Sequence, residues 1–196
     1  LDGVRDYLGA HFIQMADIDL SEIANWQRIG TSVGDSIQGK YDGNGHIISG
    51  LNINNPGTQY QGLFGFVATP GEIKDLGIRN ANVIGSGYSG ILAGGNTGAI
   101  ENCYVHGSFE VPSSHWSGAL VGTNDAGGTI NNCYSVASAG GQCCIGGLVG
   151  RNNGTIANSY FAGLRYLTTT TNYTLRGLVG TGTAANTTNS YWDTQL

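Results

Sequence analysis

Two short acidic segments near the amino terminus are the first candidates for chemistry, because carboxylates that lie close together can bind calcium. The segments are "DID", residues 17–19, and "DGNG", residues 42–45. An EF-hand loop that began at Asp42 would need a glutamate at its twelfth position, where this chain has Ile53. The missing glutamate favours a structural turn at Asp42, and the sequence predicts neither a metal nor a cofactor.

An enzymatic site would need acids, bases and a stabilising group that converge in one cleft. The chain contains a repeat of 28 to 30 residues, set out below, and its acids and histidines fall at different positions of that repeat. The side chains concerned are Glu72, Asp75, Glu101, Glu110, Asp125 and Asp193, with His46, His106 and His115. Because they would not stack on one face, we expect no catalytic residues and no enzymatic activity.

The four cysteines are Cys103, Cys133, Cys143 and Cys144. They include no C-x-x-C pair, and no histidine lies at metal-ligand spacing, so the pattern disfavours a zinc site. Cys103 and Cys133 occupy the same position of neighbouring repeats, which favours two buried small residues over a disulfide. The sequence leaves the disulfide connectivity open.

The bulk composition excludes several classes of partner. The formal net charge is −5 and only 11% of the residues are charged, so the chain offers no basic surface for nucleic acid or anionic lipid. Its apolar runs are far shorter than the ~20 residues that span a bilayer, which predicts no membrane insertion. With 34 glycines against 3 prolines, glycine must serve the backbone geometry of the fold.

The internal repeat is what must position these residues. The segment "IGGLVGRNNGTIANSY" (145–160) follows "SGALVGTNDAGGTINNCY" (117–134) and "SGILAGGNTGAIENCY" (89–104). A leucine recurs after steps of 29, 28, 28 and 30 residues, at Leu63, Leu92, Leu120, Leu148 and Leu178. Five copies of one structural unit therefore occupy residues 61–196.

A period of this length without helical periodicity predicts an all-β parallel β-solenoid, one coil per repeat, with about six coils of 28–30 residues. Residues 1–196 would form a single domain, with the cap and first coils in residues 1–60. Val4, Tyr7 and Leu8 share one helical face, which predicts a short amino-terminal capping helix over the open end. The leucines should form a buried column along the axis.

Further columns follow from the same alignment. An amide column, headed by Asp75, should stack at a corner of left-handed backbone; its members are Asn102, Asn132, Asn158 and Asn189. Tyrosines two residues later should face outward, where stacking between coils explains them better than a glycan platform does. Lys74 and Glu101 share a column, which suggests an ion pair between coils.

Ligand contacts are expected on the connections of variable length, because a rigid scaffold commonly carries binding residues there. Insertions follow Tyr104, Tyr134 and Tyr160, and they should gather into a ridge because the coils stack. The residues predicted to bind a ligand on this ridge are Trp116, His115, Arg165 and Tyr166.

The words "GLFG", "ALVG" and "GLVG" resemble the motif of the bacterial GLUG-motif repeat family, found in IgA-peptidase-type and adhesin-like surface proteins. "ILAG" departs from the motif, since Ala93 replaces a bulkier residue. The segment "MADIDLSEIANWQRIG" also resembles the lead-in to such repeats, and "NSYWDTQ" resembles their ending.

The resemblance implies a right-handed parallel β-helix and an extracellular or cell-surface location. It implies a segment of a larger repeat protein, used for adhesion or display, that contacts a host or matrix protein or a glycan. It brings no catalytic residues. The alternative is a carbohydrate-active β-helix enzyme, a polysaccharide lyase or hydrolase, or the glycan-binding domain of one.

Overall fold

The computed structural model describes residues 1–112, 116–142, 144–167, 176–183 and 186–193, without the side chains of Tyr166 and Leu167. These residues form a parallel β-solenoid of about six coils. Every pair of named strands is parallel, so each coil donates hydrogen bonds to the coils before and after it. The all-β solenoid predicted from the repeat is confirmed.

Three sheets run along the axis, and a fourth has two strands. Sheet A contains, in spatial order, β1 (His11–Ile13), β3 (Lys40–Asp42), β7 (Glu72–Lys74), β10 (Ala99–Glu101), β14 (Thr129–Asn131), β19 (Thr155–Ala157) and β23 (Thr187–Thr188). Sheet B contains β2 (Ile18–Asp19), β4 (Ile47–Ser49), β8 (Gly77–Ile84), β11 (Tyr104–Val111), β15 (Tyr134–Ser135), β20 (Tyr160–Phe161) and β24 (Tyr191–Trp192). The strands β5 (Asn52–Asn54), β16 (Ser138–Gly141) and β21 (Arg165–Leu167) extend it.

Sheet C contains β6 (Phe64–Val67), β9 (Ala93–Asn96), β13 (Val121–Asn124), β18 (Val149–Asn152) and β22 (Val179–Gly182). Sheet D pairs β12 (Ser117–Gly118) with β17 (Ile145–Gly146). Glycine is required inside sheet C because a corner of the preceding coil presses on it. A Cβ atom on Gly122 would lie 2.2 Å from the carbonyl carbon of Tyr88.

The lumen is filled by columns of apolar side chains. The five leucines of the repeat are at most 4% exposed. A second column, of isoleucines, faces them from sheet A at Ile73, Ile100, Ile130 and Ile156. Each coil covers the apolar surface of the next, so the core is continuous along the axis.

Asparagine builds two ladders between coils. The predicted one is exposed and lies at left-handed φ angles of 51° to 53° at Asp75, Asn102, Asn132 and Asn158. The Asn132 amide donates to Asn102 Oδ1 over 2.7 Å, but the Asn158 amide donates to Asn131 instead of Asn132. A second ladder is fully buried: Asn96 Nδ2 donates to Asn124 Oδ1, and Asn124 Nδ2 donates to Asn152 Oδ1, each over 2.8 Å.

The predicted capping helix is wrong. Only a single 3-10 turn forms, at Asp2–Val4, and Val4 is buried whereas Tyr7 is 66% exposed. The Leu8 carbonyl accepts hydrogen bonds from the N–H groups of Gln38 and Gly39, which places the chain on the edge of the first coil. So short a segment cannot offset the cost of helix nucleation, and pairing with the coil satisfies its backbone instead.

Within the described part of the chain, no helix has the length and apolar character that crossing a membrane requires.

Candidate ligand-binding surfaces

The tyrosine ladder consists of Tyr104, Tyr134 and Tyr160 on the outer side of sheet B. Parallel pairing of β11, β15 and β20 places these three residues in register. Their ring centroids are 5.0 and 4.9 Å apart, with planes inclined by 4° and 3°. Parallel rings at this separation are offset, so the ladder presents ring edges and hydroxyl groups to solvent. Burial, followed by the neighbouring phenols, raises the pKa of Tyr134.

The first ring of the ladder depends on a glycine. Gly77 is the register partner of Tyr104 in the preceding coil, and the Tyr104 ring lies over it. A Cβ atom at Gly77 would lie 2.4 Å from the Tyr104 ring. The tyrosine column therefore begins with a residue whose lack of a side chain makes room for the first ring.

A groove of about 510 Å³ flanks the start of the ladder. We call it the Arg79 groove; its lining is Arg79, Asn80, Tyr104, His106, Tyr134 and Val136. A β-bulge shapes it, because Val105 pairs with Ile78 while Gly107 pairs with Ala81, so Arg79 and Asn80 together face His106. The Arg79 guanidinium carbon lies 5.5 Å from the centre of the Tyr104 ring.

The corner stack is a second aromatic array, formed by Tyr60, Tyr88 and Trp116. All three have left-handed backbone, with φ angles of 58°, 59° and 29°. Tyr60 and Tyr88 stack at 5.0 Å and 10°, whereas Tyr88 and Trp116 lie 5.6 Å apart and tilted by 46°. The stack packs against sheet C. Burial is the main cause that raises the pKa of Tyr60, with smaller contributions from Tyr88 and Asp125.

Arg151 joins the corner stack from β18. Its guanidinium carbon lies 5.5 Å from the Tyr88 ring centre and 5.0 Å from that of Trp116. Arg151 Nη2 also donates to Asp125 Oδ1 over 2.7 Å, and Nε donates to Thr123 Oγ1 over 3.2 Å. The corner stack thus combines a cation, a carboxylate and two kinds of aromatic ring on one partly exposed surface.

Of the four residues predicted to bind a ligand on the ridge, only some lie together in the structure. Trp116 belongs to the corner stack, and His115 lies outside the described residues. Arg165 lies in β21 with its guanidinium carbon 5.8 Å from the Phe161 ring centre. The backbone of Tyr166 pairs with Gly140. The insertions also begin as regular strands of sheet B and become irregular only after residues 111 and 141.

Sequence reasoning missed Tyr60, Tyr88 and Arg151 as neighbours of Trp116. A signal was present, because Tyr60, Tyr88 and Trp116 are spaced by 28 residues each and precede the leucine of their repeat by three or four positions. The column was not recognised because its residue type changes, from tyrosine to tryptophan at position 116 and to cysteine at position 144.

The acidic segments near the amino terminus are engaged within the protein. Asp17 Oδ1 accepts from the Ile47 N–H, which is the main cause that lowers the pKa of this carboxyl, and lies 3.2 Å from His46 Nδ1. Asp42 accepts from the Asn44 N–H and forms an ion pair with Lys74 at 2.8 Å. No group of three or more metal-ligating side chains occurs among the described residues.

The ion pair predicted between Lys74 and Glu101 is replaced by the Lys74–Asp42 pair. Lys74 and Glu101 are register partners, as aligned, but the ammonium group points toward the preceding coil, where Asp42 lies at 2.8 Å, and Asp75 of its own coil lies at 3.5 Å. Two carboxylates attract the lysine more strongly than one does.

Cys103 and Cys133 are buried free thiols. The Cys103 N–H donates to Cys133 Sγ over 3.4 Å, and the Cys133 N–H donates to Ser159 Oγ over 3.1 Å. The small residues of this column therefore link coils through hydrogen bonds, and burial raises the pKa of the Cys103 thiol. Cys143 lies outside the described residues.

Comparison with known proteins agrees with this architecture. Residues 141–165 match the family model described as the GLUG motif. The chain carries a GLUG motif. The resemblance inferred from the Gly-Leu-Val-Gly words is thereby confirmed, and the matched segment spans β17, β18, β19 and β20 with their connections.

Two curated relatives share about half of the chain. Halomucin of Haloquadratum walsbyi is 39% identical over 92 residues, which are 47% of this chain and 1% of halomucin. A provisionally named Gly-rich membrane protein of Evansella cellulosilytica is 35% identical over 115 residues, 54% of this chain and 13% of that protein. The chain thus spans only a small part of either relative.

A solved structure shares the fold over the whole chain. It is the crystal structure of a provisionally assigned immunoglobulin A1 protease from Bacteroides ovatus, with a TM-score of 0.72 and 22% identity, covering 100% of this chain and 73% of that one. This likeness shows the solenoid fold.

Proposed function

We propose that this chain is a non-enzymatic adhesion or display module of an extracellular or cell-surface protein. The observation that carries the proposal is the corner stack, an aromatic and charged surface held on a rigid solenoid. The names of the two curated relatives, halomucin and a membrane protein, are consistent with a place at the cell surface.

The rigidity of the scaffold supports a role in presentation. Hydrogen-bonded columns connect coil to coil, and the buried asparagine ladder lies in sheet C, against which the corner stack packs. A partner that binds such a surface need not order it first, which lowers the entropic cost of association.

The distribution of charge supports binding over cleavage. Among the described residues, three carboxylates are ion-paired at 2.7 to 2.8 Å, in the pairs Lys40–Glu72, Lys74–Asp42 and Arg151–Asp125. Lys40–Glu72 and Lys74–Asp42 both link the coil of β3 to the coil of β7, and Arg151–Asp125 links two later coils. Carboxylates neutralised in this way are poorly suited to accept a proton from a substrate.

The contact surface that we propose is the ridge predicted from sequence, centred on Trp116. Tryptophan and arginine are the residue types that contribute most to binding when an interface covers them. Trp116 and Arg151 lie together, whereas Arg165 and Tyr166 extend the same insertions in a later coil. The proposed partner is a host or matrix protein or a glycan.

The test is to apply the purified chain to arrays of matrix proteins and of acidic and neutral glycans, while products are assayed for new reducing ends and unsaturated sugars. We expect binding without turnover, and Trp116→Ala should weaken binding about tenfold or more. Trp192→Ala is the matched control, since Trp192 is 49% exposed at the carboxyl-terminal end of sheet B. Turnover of a glycan, or equal effects of the two substitutions, would refute the proposal.

A further inference from the structure

The Arg79 groove is separate from the corner stack, and the polar groups that line it are mainly hydrogen-bond donors. Arg79, Asn80, Tyr104 and Tyr134 offer a guanidinium, an amide and two phenol hydroxyls as hydrogen-bond donors, and the imidazole of His106 adds another. Among the residues that the structure describes, no acidic side chain lines the groove. Such a lining is complementary to a ligand that carries several oxygen acceptors and a negative charge.

Arg79 is available to such a ligand. Within the described part of the chain its guanidinium has no ion pair, in contrast to Lys40, Lys74 and Arg151. The carboxylate of Asp17 is near enough to interact electrostatically with Arg79, but it is occupied by the Ile47 N–H and His46. In a chain of net charge −5, Arg79 gives this groove a positive charge that no ion pair neutralises among the described residues.

The bulge makes the groove an exception within the repeat. It inserts Arg79 and Asn80 opposite the single residue His106, so that three exposed polar side chains converge where other coils have regular pairing. Bulges often redirect side chains next to functional sites. The Tyr104 ring lies on one side of the guanidinium, and Arg79 as a whole is exposed.

We propose that the Arg79 groove binds a carboxylated polysaccharide, rich in uronic acid, that runs along the tyrosine ladder. This inference rests on the proposed function only in that the module would meet extracellular polymers. One phenol per coil, at 5.0 and 4.9 Å, matches a ligand that repeats along its length. An extended chain of pyranose sugars advances by a similar distance per residue.

The groove favours a carboxylated sugar over a small anion. The planar fork of arginine pairs with a carboxylate through two parallel hydrogen bonds. The phenol edges and the exposed Val136 side chain suit the apolar C–H faces of the sugar ring, and the tyrosine hydroxyls suit its alcohols. Inorganic phosphate would use the arginine and leave these contacts unused.

Isothermal titration calorimetry with a linear oligogalacturonate tests the proposal, with a cello-oligosaccharide of equal length as the neutral probe. We expect saturable binding of the uronate alone, weakened as salt is added. Arg79→Gln should weaken it about tenfold or more, because a charge-assisted hydrogen bond is lost. Tyr134→Phe, which retains the stacked ring and removes one hydroxyl, should weaken it by a smaller factor.

Arg176→Gln is the matched control, since Arg176 is an exposed arginine at the other end of the solenoid and the substitution removes the same charge. It should leave the affinity within about twofold, a factor that separates local contact from net charge. Unchanged melting temperatures of the variants would show that the fold is intact.

The inference is overturned if the uronate does not bind, if the neutral probe binds equally, or if the two arginine substitutions have equal effects. Inorganic phosphate or a sulfated oligosaccharide that binds as tightly as the uronate would overturn the assignment to a carboxylated sugar. Loss of uronate binding with Trp116-dependent binding retained would refute this inference alone, and the reverse result would refute the proposed function alone.

Discussion

The tyrosine ladder and the corner stack are both aromatic columns with one ring per coil, yet they differ in regularity. The ladder repeats one residue type with planes inclined by 3° and 4°, whereas the corner stack changes from tyrosine to tryptophan and tilts by 46°. In the corner stack the guanidinium of Arg151 contacts two rings, whereas in the ladder that of Arg79 lies over the first ring. Regular columns connect the coils, and departures from the repeat create surfaces that differ from coil to coil.

Both aromatic columns lie on coils that enclose the same apolar core, so a substitution that disrupts this core should disrupt both columns. Leu148→Asp places an unpaired carboxylate in a fully buried column, which costs several kcal/mol, and we expect the central coils to unfold. Thermal unfolding followed by circular dichroism measures this effect. Leu164→Asp is the control, because Leu164 is 55% exposed. An unchanged melting temperature for Leu148→Asp would contradict the assignment of the column.

Each aromatic column has its own asparagine ladder beside it, and the two ladders should differ in strength. Asn124→Ala, in the buried ladder of sheet C, breaks two buried amide hydrogen bonds and should cost about 2–4 kcal/mol. Asn132→Ala, in the exposed ladder that leads into the tyrosines, should cost about 1–2 kcal/mol. Urea unfolding measures both free energies.

Asn132→Gly separates the two contributions at the exposed corner. Glycine tolerates the φ angle of 53° at this position, so Asn132→Gly should lose the side-chain hydrogen bonds without the strain that alanine introduces. A loss for Asn132→Ala that exceeds that for Asn124→Ala would reverse the ranking of the two ladders.

Stacking in the regular column should contribute measurably to stability. Tyr134 lies between two parallel rings, and aromatic pairs contribute about 0.5–1.5 kcal/mol each, so we expect Tyr134→Leu to lower the free energy of unfolding by about 1–2 kcal/mol. Tyr7→Leu is the control at a 66% exposed tyrosine. Equal effects of the two substitutions would show that stacking does not hold the coils together.

The smallest effect should come from a charge pair outside both columns. The hydrogen bond from Lys74 is the main cause that lowers the pKa of Asp42. A carboxyl with a lowered pKa adds stability above the pKa of the unfolded chain, and this stability is lost as the pH falls through the folded pKa. Asp42→Asn should therefore lower the free energy of unfolding near neutral pH and make it depend less steeply on pH in the acid range.

Asp6→Asn, at an exposed aspartate, is the reference for removal of one charge. Stability measured across the acid range should separate the two variants. If the free energy of unfolding falls equally steeply with acid in Asp42→Asn and in the unaltered chain, the pair with Lys74 contributes nothing to stability.

The sequence predicted the positions that recur from one repeat to the next. It missed features that a residue's place in its column does not determine. The period located the leucines, the exposed asparagines and the outward tyrosines, because equivalent positions must stack in parallel coils. It could not show the direction in which a long side chain leans along the axis, so Lys74 was paired with Glu101 instead of Asp42. Columns whose residue type changes, such as Tyr60, Tyr88 and Trp116, were also missed.

The amino terminus shows another limit. The apolar spacing of Val4, Tyr7 and Leu8 fitted a helix, but hydrogen bonds from Gln38 and Gly39 to the Leu8 carbonyl fix the segment against the first coil. Such pairing depends on residues about 30 positions away, which local periodicity does not reveal. The Arg79 groove depends likewise on a bulge between two coils, since Arg79 and Asn80 oppose His106 only after a shift in register.

The central claim is that regular columns hold the solenoid together and departures from the repeat contact partners. It is tested most directly by the affinity of a matrix protein retained from the arrays, which does not involve the polysaccharide proposed for the Arg79 groove, measured side by side for Trp116→Ala and Tyr160→Ala. We expect Trp116→Ala to weaken binding about tenfold or more and Tyr160→Ala, at the 43% exposed end of the ladder, to leave it within about twofold. Binding that survives Trp116→Ala and is lost in Tyr160→Ala would contradict the claim.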